Sequence, residues 1–183
     1  MTERKYPDMW VDPEDDPRDT GTTPRGEKVV LAEYLDHFRT TLEMKCEGLD
    51  AEQLAQRSVP PSSMSLLGLV RHLASVEFHW FRRFVEGQPE LARPFKSPED
   101  HDLDFNGAVA DPAVVAEAWE VWRREVTHAR EVYERYDDLG VLVGPDGDRS
   151  ELREIVIHMV EEYARHCGHA DLLRERIDGR TGQ

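Results

Sequence analysis

Cysteine is nearly missing from this chain: its 183 residues hold two, Cys46 and Cys167. That is too few for a disulfide framework and fits a reducing compartment. Long hydrophobic runs are missing too. No stretch approaches the ~20 apolar residues that span a bilayer, and no basic-then-apolar segment opens the chain. Basic charge is scarce. Lys and Arg number 23 against 38 Asp and Glu, for a net charge of −15 at pH 7. Nucleic-acid phosphate and anionic membrane surfaces both call for clustered cations, so neither partner is expected. There is no internal repeat and no convincing strand. These exclusions leave a helical protein of the cytoplasm, with 39% hydrophobic residues for a core and 33% charged residues for wet helix faces.

Residues 1–26 are rich in Asp, Pro, Gly and Thr and lack an apolar period. They are expected to form an extended, flexible arm whose plausible anchors are Tyr6, Met9, Trp10 and Val11. One domain should then occupy residues 27–179, with 180–183 as a tail. Leu31, Tyr34, Leu35, Phe38 and Leu42 step by threes and fours, which predicts a helix over 27–47 ended by Gly48. A short helical turn over 50–57, capped by Asp50, precedes the break at Pro60-Pro61-Ser62-Ser63. A helix over 65–85 follows, carrying Leu66, Leu69, Leu73, Val76, Trp80 and Phe84. Residues 88–111 read as irregular. Asp111-Pro112, a cap followed by proline at the first helical position, opens a third long helix. Its stripe includes Val115, Trp119, Trp122, Val126, Ala129 and Tyr133. Beyond the turn Gly144-Pro145-Asp146-Gly147, Asp148 or Ser150 opens a fourth helix over 150–177. Four long amphipathic helices with irregular connections predict an all-α four-helix bundle.

The fourth helix carries an unusual stripe. Measured from His158 at ~100° per residue, Glu162 lies ~40° away, His166 ~80° and His169 ~20°. Four groups with metal-ligand chemistry thus share one face, flanked by apolar Ile155, Met159 and Leu173. Residues four apart have Cβ atoms ~5–6 Å apart, so such a pair can reach one ion. His158 and His166 stand ~12 Å apart along the axis and cannot share it. One i,i+4 pair must therefore supply two ligands, and another helix the third. His72, among core-directed Leu69, Val70 and Leu73, is the best candidate, because an unpaired buried imidazole is costly. An inward histidine is more often a hydrogen-bonded core residue, and a charged stripe is more often a wet face. Spacing alone does not choose between these readings.

Two motifs do point further. The stretch Ser65-Leu66-Leu67-Gly68-Leu69-Val70-Arg71-His72-Leu73 with Trp80-Phe81-Arg82 resembles the second helix of the DinB-like metal-dependent superfamily. The run Glu161-Glu162-Tyr163-Ala164-Arg165-His166-Cys167-Gly168-His169-Ala170-Asp171 resembles its fourth. Pro60-Pro61-Ser62-Ser63 and Asp102-Leu103-Asp104 are similar to its actinobacterial branch. The resemblance spans roughly residues 27–179. It implies an up-and-down-type four-helix bundle with a metal at one end, held by His72, Glu162 and His166.

Many members carry His where this chain has Glu162, and His-Arg-Gly-Gln where it has His166-Cys167-Gly168-His169. The His/Glu/His set resembles the mycothiol-dependent isomerase branch. The implied chemistry is metal activation of a low-molecular-weight thiol, mycothiol or similar, for transfer to an electrophile or for isomerisation. Its rivals are a non-catalytic metal protein and a hydrolase using metal-bound water. Zinc is the default ion, with nickel or iron as alternatives. His169 and Arg165 are the residues expected to act at the substrate. Arg71 and His158 are expected beside the cofactor. Cys167 reads as a structural thiol, because it points ~100° away from His166. The resemblance is also compatible with a homodimer.

Overall fold

Each long apolar stripe becomes a long helix in the computed structural model, which describes residues 5, 6 and 8–182. In chain order these elements are α1 (Glu27–Cys46), α2 (Ala51–Ala55) and α3 (Leu66–Glu77), the last prolonged as a π-helical segment over Phe78–Val85. Then come α4 (Leu103–Asn106), α5 (Pro112–Glu134), the two-residue strands β1 (Leu142–Val143) and β2 (Ser150–Glu151), and α6 (Leu152–Asp178). The predicted caps act as caps. Asp50 accepts from the Gln53 amide while the Gln53 side chain accepts from the Asp50 amide, a reciprocal capping box. The Ser65 hydroxyl accepts from the Gly68 amide, and Asp111 from the Ala113 amide ahead of Pro112.

Three expectations need correction. Residues 88–111 are not irregular throughout, since Leu103–Asn106 forms a helical turn. A short antiparallel hairpin exists where no strand was expected: Val143 pairs with Ser150 and Leu142 with Glu151. That pairing engages Ser150, so α6 begins at Leu152 and its N-cap is Glu151 rather than Asp148 or Ser150. The helix order also departs from simple up-and-down alternation. Lys28, Asp36 and Glu43 of α1 face Glu134, Arg130 and Arg123 of α5, so these two run antiparallel. Arg82 and Glu86 meet Glu125 and His128, which makes α3 and α5 parallel. Glu27 meets Arg153 and Lys45 meets Asp171, so α1 and α6 are parallel as well. The long connection over 86–111 carries the chain back along the bundle and makes the parallel pair α3–α5 reachable.

Within the largely apolar core, one polar cross-brace takes a residue from each long helix. Arg39 of α1 makes a two-pronged ion pair with Glu77 of α3, with both contacts at 2.8 Å. Tyr163 of α6 donates its hydroxyl proton to Glu77 at 2.8 Å, and the indole of Trp122 of α5 donates to the Tyr163 oxygen at 2.9 Å. Glu77 and Tyr163 are wholly covered. Burial opposes the Arg39 charge, but the Glu77 carboxylate overrides it and holds the guanidinium protonated. Burial and the same carboxylate push the Tyr163 phenol well above its ordinary range.

The N-terminal arm is anchored by one of its four expected residues in particular. Trp10 is only 2% exposed. Its ring has the Lys45 ammonium at 3.8 Å and the Arg180 guanidinium at 3.7 Å from the centroid, with Arg174 at 5.3 Å. Three cations around one indole form a clamp worth more than a single surface pair, because the groups are largely shielded from water. Trp10→Ala is expected to release the arm and expose Arg18, whose side chain is covered beside Asp16 and Thr41, to trypsin. Limited proteolysis checks this, and an arm as resistant as the wild type's would refute the clamp. No helix among the described residues is long and apolar enough to cross a membrane.

Candidate metal centre

The site lies where α3 and α6 pass each other in opposite directions. His72 on α3 and the pair Glu162 and His166 on α6 bring one ligand atom each to within 4.8 Å of one another. His166 Nε2 is 3.4 Å and His72 Nε2 3.9 Å from the same Glu162 oxygen, Oε2. Metal–ligand bonds of ~2.0–2.1 Å in a tetrahedron place donors ~3.3–3.4 Å apart, so small side-chain rotations would close this set on one ion. The brace described above sets the register, because Tyr163 and Glu77 flank the site in sequence and lock α6 against α3.

Each ligand candidate has a partner behind it. His72 Nδ1 lies 2.8 Å from Asp104 Oδ2, and Asp104 is wholly buried on α4. Lys96 pairs with the same oxygen at 2.7 Å. This leaves His72 Nε2 aimed at the cluster with its tautomer fixed, the carboxylate–histidine arrangement that orients metal ligands. Phe105 stacks on the other side of the His72 ring, 5.4 Å between centroids. Close packing of α4 requires Gly68, since a Cβ there would come within 2.7 Å of the Phe105 ring. His166 turns its Nδ1 to His169 Nδ1 at 3.3 Å.

The charges follow from these contacts. Hydrogen bonds from His166 and His72 drive the Glu162 carboxyl far below its usual range, against the effect of burial. Burial would lower the His72 pKa, but its hydrogen bonds with Asp104 and Glu162 raise it above 6.5. Burial would raise Asp104, yet His72 and Lys96 together hold it below the ordinary carboxylate value.

The other residues singled out from the sequence fall in different places. His158 sits beside the cluster, with Nε2 3.5 Å from the second Glu162 oxygen and its ring against Trp80. Arg165 is exposed. Arg71 is buried, and its guanidinium donates to the carbonyls of Asp104 and Leu103 while lying over Phe95. It ties α4 to α3 rather than facing the cluster. Cys167 faces away from His166, against the Phe38 carbonyl, and burial pushes its thiol up to about 12. Asp104 and Lys96 were not named as site residues. The one signal for Asp104 was its place in Asp102-Leu103-Asp104, and nothing in a single chain says that a loop acid will meet a histidine 32 positions away.

A four-helix bundle with a His/Glu/His cluster between its second and fourth long helices is a DinB-like protein. The family model described as mycothiol-S-transferase matches residues 30–179, most of the chain, and the chain belongs to that family. No curated protein matches it.

Proposed function

We propose that this protein is a divalent-metal-dependent enzyme that transfers a mycothiol-type thiol to an electrophile, with His72, Glu162 and His166 holding the ion. The observation that carries this reading is the convergence of those three donors, backed by the buried Asp104, in a member of the mycothiol-S-transferase family. Two imidazoles and a carboxylate suit zinc first. A bound divalent ion lowers the pKa of a thiol that reaches it, which makes the thiolate available near neutral pH.

The chain's own groups have separate tasks. Asp104 keeps the proton of His72 on Nδ1 and so leaves Nε2 free to ligate. His169 does the equivalent for His166, accepting from its Nδ1. Glu162 supplies negative charge that offsets part of the ion's. Three protein donors leave coordination room for a thiol, and neither His158 nor His169 fills it in this geometry. Arg165, exposed on the same helix, is available to polar groups of the thiol cofactor.

The decisive test is consumption of mycothiol, bacillithiol or glutathione by the metal-loaded protein with a chloromethyl electrophile. Chelator-sensitive loss of thiol is the expected result. No loss above the uncatalysed rate with any of the three thiols would end the S-transfer reading.

Asp104→Asn should keep the fold and weaken metal binding by ~10–100-fold, the usual effect of removing a carboxylate behind a ligating histidine. Competition with a chromogenic chelator measures it, and unchanged affinity would count against the role given to Asp104. Acidification acts in opposite directions on the two forms. In the metal-free protein, the raised His72 pKa means that its carboxylate contacts stabilise the fold fully below pH ~6.5 and are lost as pH rises through the folded value. In the loaded protein, protons compete with the ion for His72, so the apparent metal affinity should fall as pH drops through the folded His72 value. Thermal melts with and without zinc across pH 5–8 would show the two trends crossing.

A further inference from the structure

Along α3, beyond His72, a group of basic side chains remains that the metal cluster does not use. Ser75 lies one turn past His72, wholly buried, and its hydroxyl accepts from Arg93 Nε at 3.1 Å. The terminal nitrogens of Arg93 make no hydrogen bond or ion pair among the described residues. Arg83 donates only to the Pro89 carbonyl. His79 Nδ1 is buried and has no hydrogen-bond partner. The His79 ring contacts Trp80 at 5.2 Å, and Trp80 contacts His158 at 4.7 Å, next to Glu162. His72, Ser75 and His79 are spaced three and four apart, so this basic group continues along the same face of α3 as the metal cluster.

The absence of acids among them is informative. In a chain with 38 acidic residues, the neighbouring Arg82 and other helix arginines such as Arg39, Arg130, Arg135 and Arg153 each meet a carboxylate. Arg83 and Arg93 do not. Burial and mutual repulsion lower the pKa of Arg93, and burial with both arginines lowers that of His79 to about 4. Asp104, whose charge reaches Arg93, is already committed to His72 and Lys96. Half-buried like charges without a counterion disfavour the fold unless something anionic relieves them, and a planar guanidinium fork suits a carboxylate.

We propose that the electrophile used at this site is an anion whose carboxylate is held by Arg93, assisted by Arg83 and by the His79 ring nitrogen. The proposal rests on the S-transfer reading above and specifies its acceptor. With a substrate such as 4-(chloromethyl)benzoate, the thiolate sulfur forms a bond to the benzylic carbon, the carbon–chlorine bond breaks, and chloride leaves with the electron pair. The thiol proton goes to solvent. The carboxylate takes no part in bond making; it is the handle that holds the reacting carbon near the cluster.

The experiment pairs binding with turnover. Calorimetry of benzoate, with benzyl alcohol as the neutral control, is run on zinc-loaded wild type, Arg93→Ala and Arg93→Lys, each checked for a wild-type melting profile. Benzoate should bind wild type, and the affinity should fall about tenfold or more in Arg93→Ala, the loss of a charged hydrogen bond. Arg93→Lys should fall between them, which also guards against an alanine variant that fails to fold. In parallel, kcat/KM for 4-(chloromethyl)benzoate should exceed that for benzyl chloride by about tenfold, a preference that Arg93→Ala removes. Benzoate that does not bind, or binds Arg93→Ala and wild type alike, overturns the anion site. Equal turnover of both chlorides overturns the preference while leaving S-transfer standing. Arg93-dependent benzoate binding without turnover of either chloride supports the anion site and removes the S-transfer reading instead.

Discussion

Zinc content should fall from about one ion per chain to less than about a tenth of that in His166→Ala, because two remaining donors cannot hold a divalent ion against chelating buffer. His72→Ala should behave alike, and Glu162→Gln should retain some metal, since its amide oxygen is a weaker donor of similar shape. Elemental analysis after desalting is the readout, beside a melting curve for each variant. The contrast among the three matters more than any single value. His166 and Glu162 lie on one helix four residues apart, whereas His72 comes from another helix. A zinc requirement shared by all three ties the ion to the α3–α6 crossing. Equal zinc in His166→Ala and wild type would show that metal binds elsewhere, and the thiol chemistry would lose its support.

Glu77→Ala should cost about 3–5 kcal/mol of stability, the range seen when one partner of a buried ion pair is removed. At ~2–4 °C per kcal/mol for a chain of this size, the melting temperature should drop by ~6–20 °C. Two buried groups lose their partner at once: the Arg39 guanidinium, left with only Asp36, and the Tyr163 hydroxyl. Arg39→Met combined with Glu77→Leu should recover part of the loss, because apolar residues of similar volume replace a buried ion pair at little cost while the Tyr163 hydroxyl still lacks its acceptor. A double-mutant cycle by chemical denaturation measures the coupling. A loss below ~1 kcal/mol in Glu77→Ala would mean that water reaches the brace and satisfies its members.

The long helices were legible because burial imposes a 3.6-residue period, and the caps at Asp50, Ser65 and Asp111 are local chemistry. The i,i+4 relation of Glu162 and His166 is equally local, and the match to the mycothiol-S-transferase family fits the resemblance carried by the two helix motifs. What escaped depends on distant parts of the chain. Asp104 lies on a four-residue helix too short to show a period, and its meaning comes from His72 across the fold. Arg71, expected beside the cofactor, has its guanidinium on the carbonyls of Asp104 and Leu103, and nothing in the sequence marks that loop as its partner. Glu77 lies ~140° around the helix from His72, and nothing local announces Arg39 as its partner. The parallel course of α3 and α5 also escaped, since stripes fix which face is buried and not which way a helix runs.

The four-membered brace has a consequence for how the chain reaches this state. Its members come from α1, α3, α5 and α6, so no subset of three helices satisfies them all. An assembly with α1, α3 or α6 undocked, or slid by a turn, would hold a guanidinium, carboxylate or phenol in the interior without its match, and one lacking α5 would leave the Trp122 indole without its acceptor. Partly built bundles are thereby raised in energy relative to the finished one. The brace works as an inspection step during folding: it rewards only the simultaneous arrival of all four helices in register, and that same register brings His72 opposite Glu162 and His166.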